Sequence, residues 1–303
     1  MRSTGICLDF GLGRVQIQSD LHKTVADIAT LYRHFPLEIP TGFVDIQALI
    51  TRPVSLRRFV KKQSILILDG ADVPFEPFPD DHGFALLEWG INWTIAHRFH
   101  IRLLLHAGVV EKNGKALILP ALPGSGKSTL TAALANRGYR LLSDEFGAVD
   151  VDDGTVTAVL KAVALKNESI DVIRSFAPDA VFGPSFMKTR KGTVAHMAPN
   201  ASSVEKRAES VTPRFILYPR YVTGSDLTLT PMSPSSSFAR LAVNSFNYSI
   251  LGPIGFTALE RVIRGCESYA LVSSDLENAV RGLDELFAES AANREADGVA
   301  NHG

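Results

Sequence analysis

The residues of this sequence that are best suited to chemistry form a glycine-rich loop followed by an acidic pair. The loop, Ala-Leu-Pro-Gly-Ser-Gly-Lys-Ser, runs from Ala121 to Ser128, and the pair is Asp144 and Glu145. The loop fits the phosphate-binding pattern G-x-x-x-x-G-K-S/T except at its first position, where alanine replaces glycine. Loops of this kind hold the phosphates of ATP or GTP. The sequence therefore predicts a nucleotide site, but it does not indicate which of the two nucleotides binds.

The expected contacts of the loop follow from the chemistry of a polyphosphate. Phosphate oxygens need several inward-pointing N–H donors, and Gly124 and Gly126 leave the approach to such donors open. A helix that begins near Gly126 adds its first amides and the positive end of its dipole. Lys127 is expected to reach the β and γ phosphates, and the Ser128 hydroxyl to ligate Mg²⁺. The predicted nucleotide contacts are Pro123, Gly124, Ser125, Gly126, Lys127, Ser128 and Thr129.

The acidic pair ends a predicted strand at residues 139–142. In a strand–loop–helix–strand unit with a short return, the second strand lies near the first, and its carboxyl end opens beside the phosphate loop. One carboxylate there can hold Mg²⁺, and the other can accept the proton of an attacking hydroxyl. The alternative is one metal-binding acid followed by a surface glutamate. We predict Ser128, Asp144 and Glu145 as metal ligands and both acids as catalytic, with their two roles unassigned.

A second charged segment, residues 188–196, carries three cations ahead of a strand-like run. One interpretation is a solvated basic loop. The other is a clamp on the transferring phosphoryl group, because phosphoryl transfer depends mainly on positioned positive charge. Arg190 and Lys191 are the candidates for this clamp.

The elements that must position these residues divide into two predicted domains. Residues 1–80 read as a small α+β unit, with a hairpin at 4–18, a helix to about 32 and strands at 42–50 and 64–69. Residues 81–290 form the larger domain, which opens with a helix at 84–98 that is apolar nearly all round and is expected to be buried against that domain. The polar segment 291–303 is predicted to be a disordered tail. The predicted fold class is α/β with a small N-terminal α+β domain.

Composition excludes several classes of protein. The formal net charge is -1, with acids and bases interspersed, so no broad basic surface is available for nucleic acid or an anionic membrane. The two cysteines, Cys7 and Cys266, lie far apart, which argues against a disulfide framework and a zinc site. No run of 18 apolar residues occurs, so neither export nor a membrane span is predicted. A cytoplasmic location is expected.

Taken together, these motifs resemble the catalytic core of HPr kinase/phosphorylase. The resemblance is carried by Leu105-His106-Ala-Gly-Val, the loop Pro-Gly-Ser-Gly-Lys-Ser-Thr, the helix end at Asn136 to Leu141, and Asp144-Glu145. It is closest to the group called HprK-related kinase A, which is often linked to peptide-modification systems. It implies a P-loop kinase core of the type shared with phosphoenolpyruvate carboxykinases, ATP and Mg²⁺ as cofactors, and a serine of a protein as acceptor. It also implies a homo-oligomer.

The resemblance also implies roles for individual residues. His106 occupies the place of the family's histidine ahead of the loop, close to the active site. Asp144 matches the first of two consecutive aspartates, and Glu145 replaces the second. The family's later Glu-Ile-Arg-Gly segment falls at residues 164–167, so its glutamate is absent and Lys166 stands for its arginine, as a cation without the bidentate fork. The missing glutamate argues against the family's reverse phosphorylase reaction.

The expected function is therefore an ATP- and Mg²⁺-dependent kinase that phosphorylates a hydroxyl, serine above all, on a peptide or protein. A precursor peptide is one candidate partner. A small-molecule kinase or carboxykinase-like transferase would use the same core with a closed pocket. A non-catalytic, nucleotide-gated regulatory module would need neither acid. The separate N-terminal unit favours a macromolecular acceptor, because such a unit offers a docking surface.

Overall fold

The computed structural model describes residues 4–54, 62–72, 75–120 and 124–300, without the side chains of residues 72, 291 and 293–300. Pro123, a predicted nucleotide contact, lies outside the described residues. The chain is a mixed α/β protein with several sheets, which agrees with the predicted class. Among the described helices, none combines the length and the apolar character that crossing a membrane requires.

The first sheet comes from the N-terminal part of the chain. Its strands are Ile6–Asp9 (β1), Arg14–Ser19 (β2), Ile46–Thr51 (β3), Gln63–Leu68 (β4), Ala71–Asp72 (β5) and Phe78–Pro79 (β6). They are ordered β1-β2-β3-β4-β5, with β6 also on β4. The predicted hairpin is the antiparallel pair β1 and β2. Helix α1, His22–Leu31, connects β2 to β3, and these two strands are parallel.

The next helix, α2, covers Gly83–Arg98 and confirms the predicted apolar helix. It lies on β3, β4 and α1 of the N-terminal part, and its Phe84 ring also contacts His196 of the predicted larger domain. Gly90 allows this approach: a Cβ there would stand 1.9 Å from Leu66 Cδ2 on β4. Apolar periodicity shows that a helix is buried but not which sheet buries it. Helix α2 therefore contacts both parts of the chain, since Glu88 also pairs with Lys161.

The second sheet carries the candidate site. Its strands are Arg102–Lys112 (β7), Lys115–Pro120 (β8), Arg140–Ser143 (β9), Phe146–Asp150 (β10), Val156–Thr157 (β11), Thr212–Tyr221 (β15), Thr228–Pro231 (β16) and Glu267–Ser273 (β17). Their order is β11-β10-β7-β8-β15-β17-β16, and β9 also pairs with β7. A small third sheet is ordered β12-β14-β13, from Val163–Lys166 (β12), Phe186–Thr189 (β13) and Gly192–Met197 (β14).

Further helices lie in the same part of the chain as the second sheet. They are Lys127–Ala135 (α3), Glu168–Phe176 (α4), Ala201–Glu205 (α5), Pro234–Val243 (α6), Tyr248–Leu251 (α7), Pro253–Gly265 (α8) and Leu276–Ala300 (α9). Helices α3, α8 and α9 pack on strands of the second sheet. Helix α9 continues to Ala300, whereas the sequence predicted a disordered tail from residue 291. That prediction rested on polarity, but four of the ten residues from 291 to 300 are alanine, which has the highest helix propensity of all residues.

Strand β7 determines where the site forms. It pairs antiparallel with β8 on one edge and with β9 and β10 on the other. Val109, for example, is opposite both Ile118 of β8 and Ser143 of β9. Strands β8 and β9 therefore run in the same direction, and both carboxyl ends lie at the same end of the sheet. The phosphate loop follows β8 and the acidic pair follows β9, so the chain brings the two motifs together.

Candidate active site

The described part of the glycine-rich loop has the backbone that its sequence predicts. Gly124 and Gly126 have φ angles of 84° and 91°, in the left-handed region that favours glycine. Helix α3 begins directly afterwards, with Gly126 as its N-cap. The Tyr221 N–H at the end of β15 donates to the Ser125 carbonyl oxygen over 3.2 Å, which fixes the loop to the neighbouring parallel strand.

Lys127 and Asp144 meet directly below the loop. Lys127 is 8% exposed and Asp144 7%. The Lys127 ammonium lies 3.5 Å from Asp144 Oδ1 and also donates to the Asp144 carbonyl oxygen. Burial raises the pKa of the Asp144 carboxyl, while the charge of Lys127 and a hydrogen bond from Ser128 oppose that shift. The structure thus brings the predicted lysine, serine and first acid into one contact.

Glu145 turns toward His106 instead. Glu145 Oε1 lies 3.5 Å from His106 Nε2, and both side chains are about one-third exposed, at 33% and 28%. Burial lowers the pKa of His106, against the charge of Glu145. Burial alone would raise the pKa of Glu145, but the charges of Lys127 and His106, with those of other lysines, hold that pKa below its ordinary value.

The segment that follows α6 forms two hydrogen bonds with the backbone of His106. His106 N–H donates to the Asn244 carbonyl oxygen over 2.8 Å, and Asn244 Nδ2 donates to the His106 carbonyl oxygen over 2.9 Å. The ring of Phe246 stands 5.4 Å from the imidazole. The edge of β7 at His106 is therefore held firmly, and the imidazole packs beside Glu145.

The two acids open into a small cleft with a volume of about 40 Å³, which Lys166 and Lys191 also line. Lys166 ends β12, and Lys191 lies in the turn between β13 and β14. Neither ammonium has an ion-pair partner in the part of the chain that the structure describes, and Lys191 Nζ stands 5.4 Å from the ring of Trp89. Burial, together with the charge of Lys191, lowers the pKa of Lys166. Two unpaired cations therefore converge beside two carboxylates.

Arg190 does not join this cleft. Its side chain is 74% exposed and faces Glu76, with its Nη2 3.3 Å from Glu76 Oε2. The hairpin turn sends consecutive side chains in different directions, so the structure brings Lys191 to the site and leaves Arg190 at the surface.

Sequence reasoning missed a charged group in the floor of the cleft. Lys161 Nζ lies 3.1 Å from Glu88 Oε2 and also donates to Asn92 Oδ1, and all three residues line the cleft. His196 lines it too; it is 3% exposed, and burial lowers the pKa of His196 to about 4. One signal was available: Glu88 is the one acid of a helix that is apolar nearly all round, and a buried charge requires a partner.

A larger pocket is lined in part by the loop. It has a volume of about 810 Å³ and extends from Gly124–Gly126 to α4, the ends of β15 and β17, and the start of α9. Apolar side chains such as Val172 and Phe176 line it, together with Tyr221 and Asp275. The loop therefore lines the wide mixed pocket, whereas the acids that follow β9 line the small charged cleft.

The donor set beside the loop suits a hard cation. The Ser128 hydroxyl and the two carboxylates supply oxygen ligands, and Asp144 Oδ1 is buried without a hydrogen-bond partner among the described residues. No group of three or more histidine, cysteine, aspartate or glutamate side chains that could hold a metal occurs within the described residues. Mg²⁺ in nucleotide sites takes one or two carboxylates and completes its shell with phosphate and water, so these residues fit it.

Comparisons with known proteins add no relative. No protein-family model matches the chain, and the search of curated proteins found no match. The likeness to HPr kinases in the motifs stays a prediction.

Proposed function

We propose that this protein is an ATP- and Mg²⁺-dependent kinase that transfers the γ-phosphoryl group to a hydroxyl of a peptide or protein, with serine as the expected acceptor. The observation that carries the proposal is one cleft lined by two carboxylates and two ammonium groups without ion-pair partners among the described residues, in which one carboxylate, Asp144, contacts the loop lysine. Phosphoryl transfer needs this combination, because positioning and charge stabilisation account for most of its catalysis. The proposed fold is a P-loop kinase core of the HPr kinase and phosphoenolpyruvate carboxykinase type.

The two cavities suggest how the nucleotide binds. The pocket of about 810 Å³ beside the loop has room for a nucleoside, and the cleft lined by the two acids has room for little more than a phosphoryl group. The phosphate chain would cross the loop at Gly124–Gly126, where the first amides of α3 are open, and Lys127 would exchange Asp144 for the phosphates. This orientation brings the γ phosphate next to Asp144 and Glu145.

The two acids receive different roles in this proposal. Asp144 is our candidate metal ligand because it contacts both Lys127 and Ser128. Mg²⁺ would neutralise charge on the phosphate oxygens. Glu145 is our candidate base because it is the more exposed acid, faces the cleft and has His106 beside it. The acceptor oxygen attacks the γ phosphorus, its proton passes to Glu145, and the bond to the β–γ bridging oxygen breaks with its electron pair leaving on the diphosphate.

Lys166 and Lys191 would stabilise the transferring group. Their ammonium groups line the cleft without partners among the described residues, and a phosphoryl group in transit carries its charge on three equatorial oxygens. Arg190, bound to Glu76, has no role in this proposal.

The size of the cleft favours an acceptor that is carried on a chain. A volume of about 40 Å³ accommodates about two or three water molecules, so a whole metabolite does not fit beside the acids and only a small group of the acceptor can approach them. This supports a peptide or protein acceptor over a small molecule.

The test incubates the protein with γ-labelled ATP, Mg²⁺ and candidate peptides or metabolites. We expect label on a peptide, and we expect Lys127→Ala to abolish transfer while circular dichroism and the melting temperature stay near those of the wild type. Undiminished transfer by Lys127→Ala would refute the site. Nucleotide binding without transfer to any acceptor would favour a regulatory module, and label on a metabolite alone would overturn the peptide acceptor.

In the same assay, a metal titration separates the two acids. Asp144→Asn should raise the Mg²⁺ concentration for half-maximal rate about tenfold, because it removes one charged ligand. Glu145→Gln should lower turnover by about 10²- to 10⁴-fold at every Mg²⁺ concentration, because it removes the base. The opposite pattern would reverse the two assignments.

A further inference from the structure

Lys161 is buried in the floor of the cleft with one of its donors unused. It is 6% exposed, and its ammonium bonds Glu88 Oε2 at 3.1 Å and Asn92 Oδ1. An ammonium group carries three N–H donors. Within the described ranges no protein acceptor is available to the third donor, although Lys161 lines the cleft that Asp144 and Glu145 also line.

Stability does not explain this arrangement. Removing two charges from water costs about as much as their attraction returns, and well-packed apolar residues in place of a buried ion pair are commonly as stable or more stable. The chain nevertheless buries Lys161 with Glu88, and Glu88 also accepts a hydrogen bond from Tyr32. The buried pair is therefore better explained by the cleft that Lys161 lines than by a contribution to the stability of the fold.

An independent observation points to a ligand in the same cleft. His196 is 3% exposed and lines the cleft, and its Nδ1 has no hydrogen-bond partner among the described residues. Buried polar atoms are nearly always bonded, so a partnerless one facing a cavity indicates a bound water or ligand atom. Two side chains that line the same small cleft, Lys161 between β11 and β12 and His196 on β14, thus have hydrogen-bonding capacity that no described residue uses.

We propose that Lys161 binds an anionic oxygen in this cleft and is a third cationic residue of the site, next to Lys166 and Lys191. The oxygen belongs either to the transferring phosphoryl group or to a carboxylate of the acceptor. The assignment of the oxygen to one of these two groups rests on the proposed function. The binding of an anion by Lys161 does not depend on that function.

Glu88 and Asn92 are positioning residues in this proposal. They take two of the three donors of Lys161 and so direct the third. Both belong to α2, which packs on the first sheet, so the N-terminal part of the chain supplies the floor of the site. It contributes to ligand binding directly, beyond any docking surface that it offers.

The decisive variant is the double substitution Lys161→Met/Glu88→Gln. Lys161→Met alone would leave Glu88 charged and buried, and the chain could fail to fold. The double variant removes both charges, keeps similar volumes and leaves an amide oxygen for Tyr32. Trp89 provides the signal, because it lines the cleft and the sequence contains only one other tryptophan, Trp93. A Trp93→Phe background assigns the fluorescence to Trp89.

The probes are inorganic phosphate and acetate, titrated separately. We expect the double variant to melt within a few degrees of the wild type and to bind at least one probe about tenfold more weakly. Weakened phosphate binding alone identifies the phosphoryl group as the source, and weakened acetate binding alone identifies an acceptor carboxylate. The matched control is Lys112→Met/Asp284→Asn, which removes a lysine ion pair of 2.5 Å outside the cleft and should change neither affinity.

Two outcomes overturn the inference: a folded double variant that binds both anions as tightly as the wild type does, or a wild type that binds neither. Failure of the proposed function looks different. If ATP does not bind but phosphate binding still depends on Lys161, the kinase proposal fails and the anion site stands.

Discussion

Asp27 shows what partial burial does to a single charged residue outside the site. It lies on α1, where burial raises the pKa of its carboxyl to about 6, against the opposing charge of Lys23. The ordinary value is 3.8, so the folded chain binds a proton at Asp27 between these two pH values and the unfolded chain does not. The stability that this proton contributes is complete below pH 3.8 and is lost as the pH rises through 6.

Replacing this carboxylate should therefore stabilise the protein at neutral pH. Asp27→Asn is expected to raise the free energy of unfolding at pH 7 by about 1 to 2 kcal/mol, after allowance for the partial exposure of the side chain. The gain should disappear near pH 4, where the wild-type carboxyl is protonated in the folded state. Urea denaturation at both pH values measures it. Asp226→Asn, at an exposed acid, is the control, and an equal gain at both pH values would contradict the prediction.

Residues close together in sequence were predictable, and residues that meet across the fold were not. Lys127, Ser128 and the acidic pair follow from one short unit of strand, loop, helix and strand, where spacing fixes proximity. The contact between Lys161 and Glu88 joins residues 73 positions apart, and no local pattern pairs them. Arg190 and Lys191 were equivalent in the sequence, and only the direction of the turn separates them.

At the scale of elements, the contact between α3 and β7 determines where the phosphate loop stands. Gly108 of β7 faces Thr131 of α3, and a Cβ at this glycine would lie 2.2 Å from Thr131 Oγ1. That hydroxyl is itself bonded to the Lys127 carbonyl oxygen, in the first turn of the helix. A side chain at residue 108 must therefore push α3, and the loop with it, away from the sheet.

Gly108→Ala is expected to lower the free energy of unfolding by about 1 to 3 kcal/mol and to weaken nucleotide binding. Adding Thr131→Ala should restore most of both losses, because it removes the clashing hydroxyl. Thr131→Ser keeps that oxygen and should not rescue. Chemical denaturation and ATP titration measure the two effects, and equal rescue by alanine and serine would show that the clash is not the cause.

The order of the strands was only partly predictable. The expectation that the strand before the acids lies near the strand before the loop captured the meeting of the two motifs. Asn113 and Gly114, which form the turn between β7 and β8, are also residues typical of a two-residue hairpin turn. The sequence did not reveal that β7 stands between β8 and β9, because strand pairing is decided by contacts between distant segments. The carboxyl ends of β8 and β9 nevertheless lie at the same end of the sheet, because both strands are antiparallel to β7.

At the scale of the whole molecule, α2 joins the N-terminal part to the site. Its apolar side chains, including Leu86, Leu87 and Ile91, are fully buried, and the helix packs on β3 and β4. A fragment of residues 81–303 would keep the phosphate loop but expose this face and lose the hydrogen bond from Tyr32 to Glu88.

We expect that fragment to aggregate or to melt well below the full-length chain, because several large apolar side chains lose their cover. Size-exclusion chromatography and thermal denaturation, with the full chain as control, measure this. A soluble fragment with the melting temperature of the full chain would support the boundary that the sequence predicted at residue 80.

The central position of β15 has a consequence for how the chain is made on the ribosome. Strand β8 lies between β7, which is synthesised just before it, and β15, which emerges only after residues 121–211. Until then, the apolar residues Ala116 to Leu119 present an unpaired strand edge, the kind of surface on which nascent chains associate wrongly. Strand β8, which precedes the phosphate loop, therefore gains its second neighbouring strand late in translation. We expect chaperones that bind extended apolar segments to bind this strand before β15 has been synthesised.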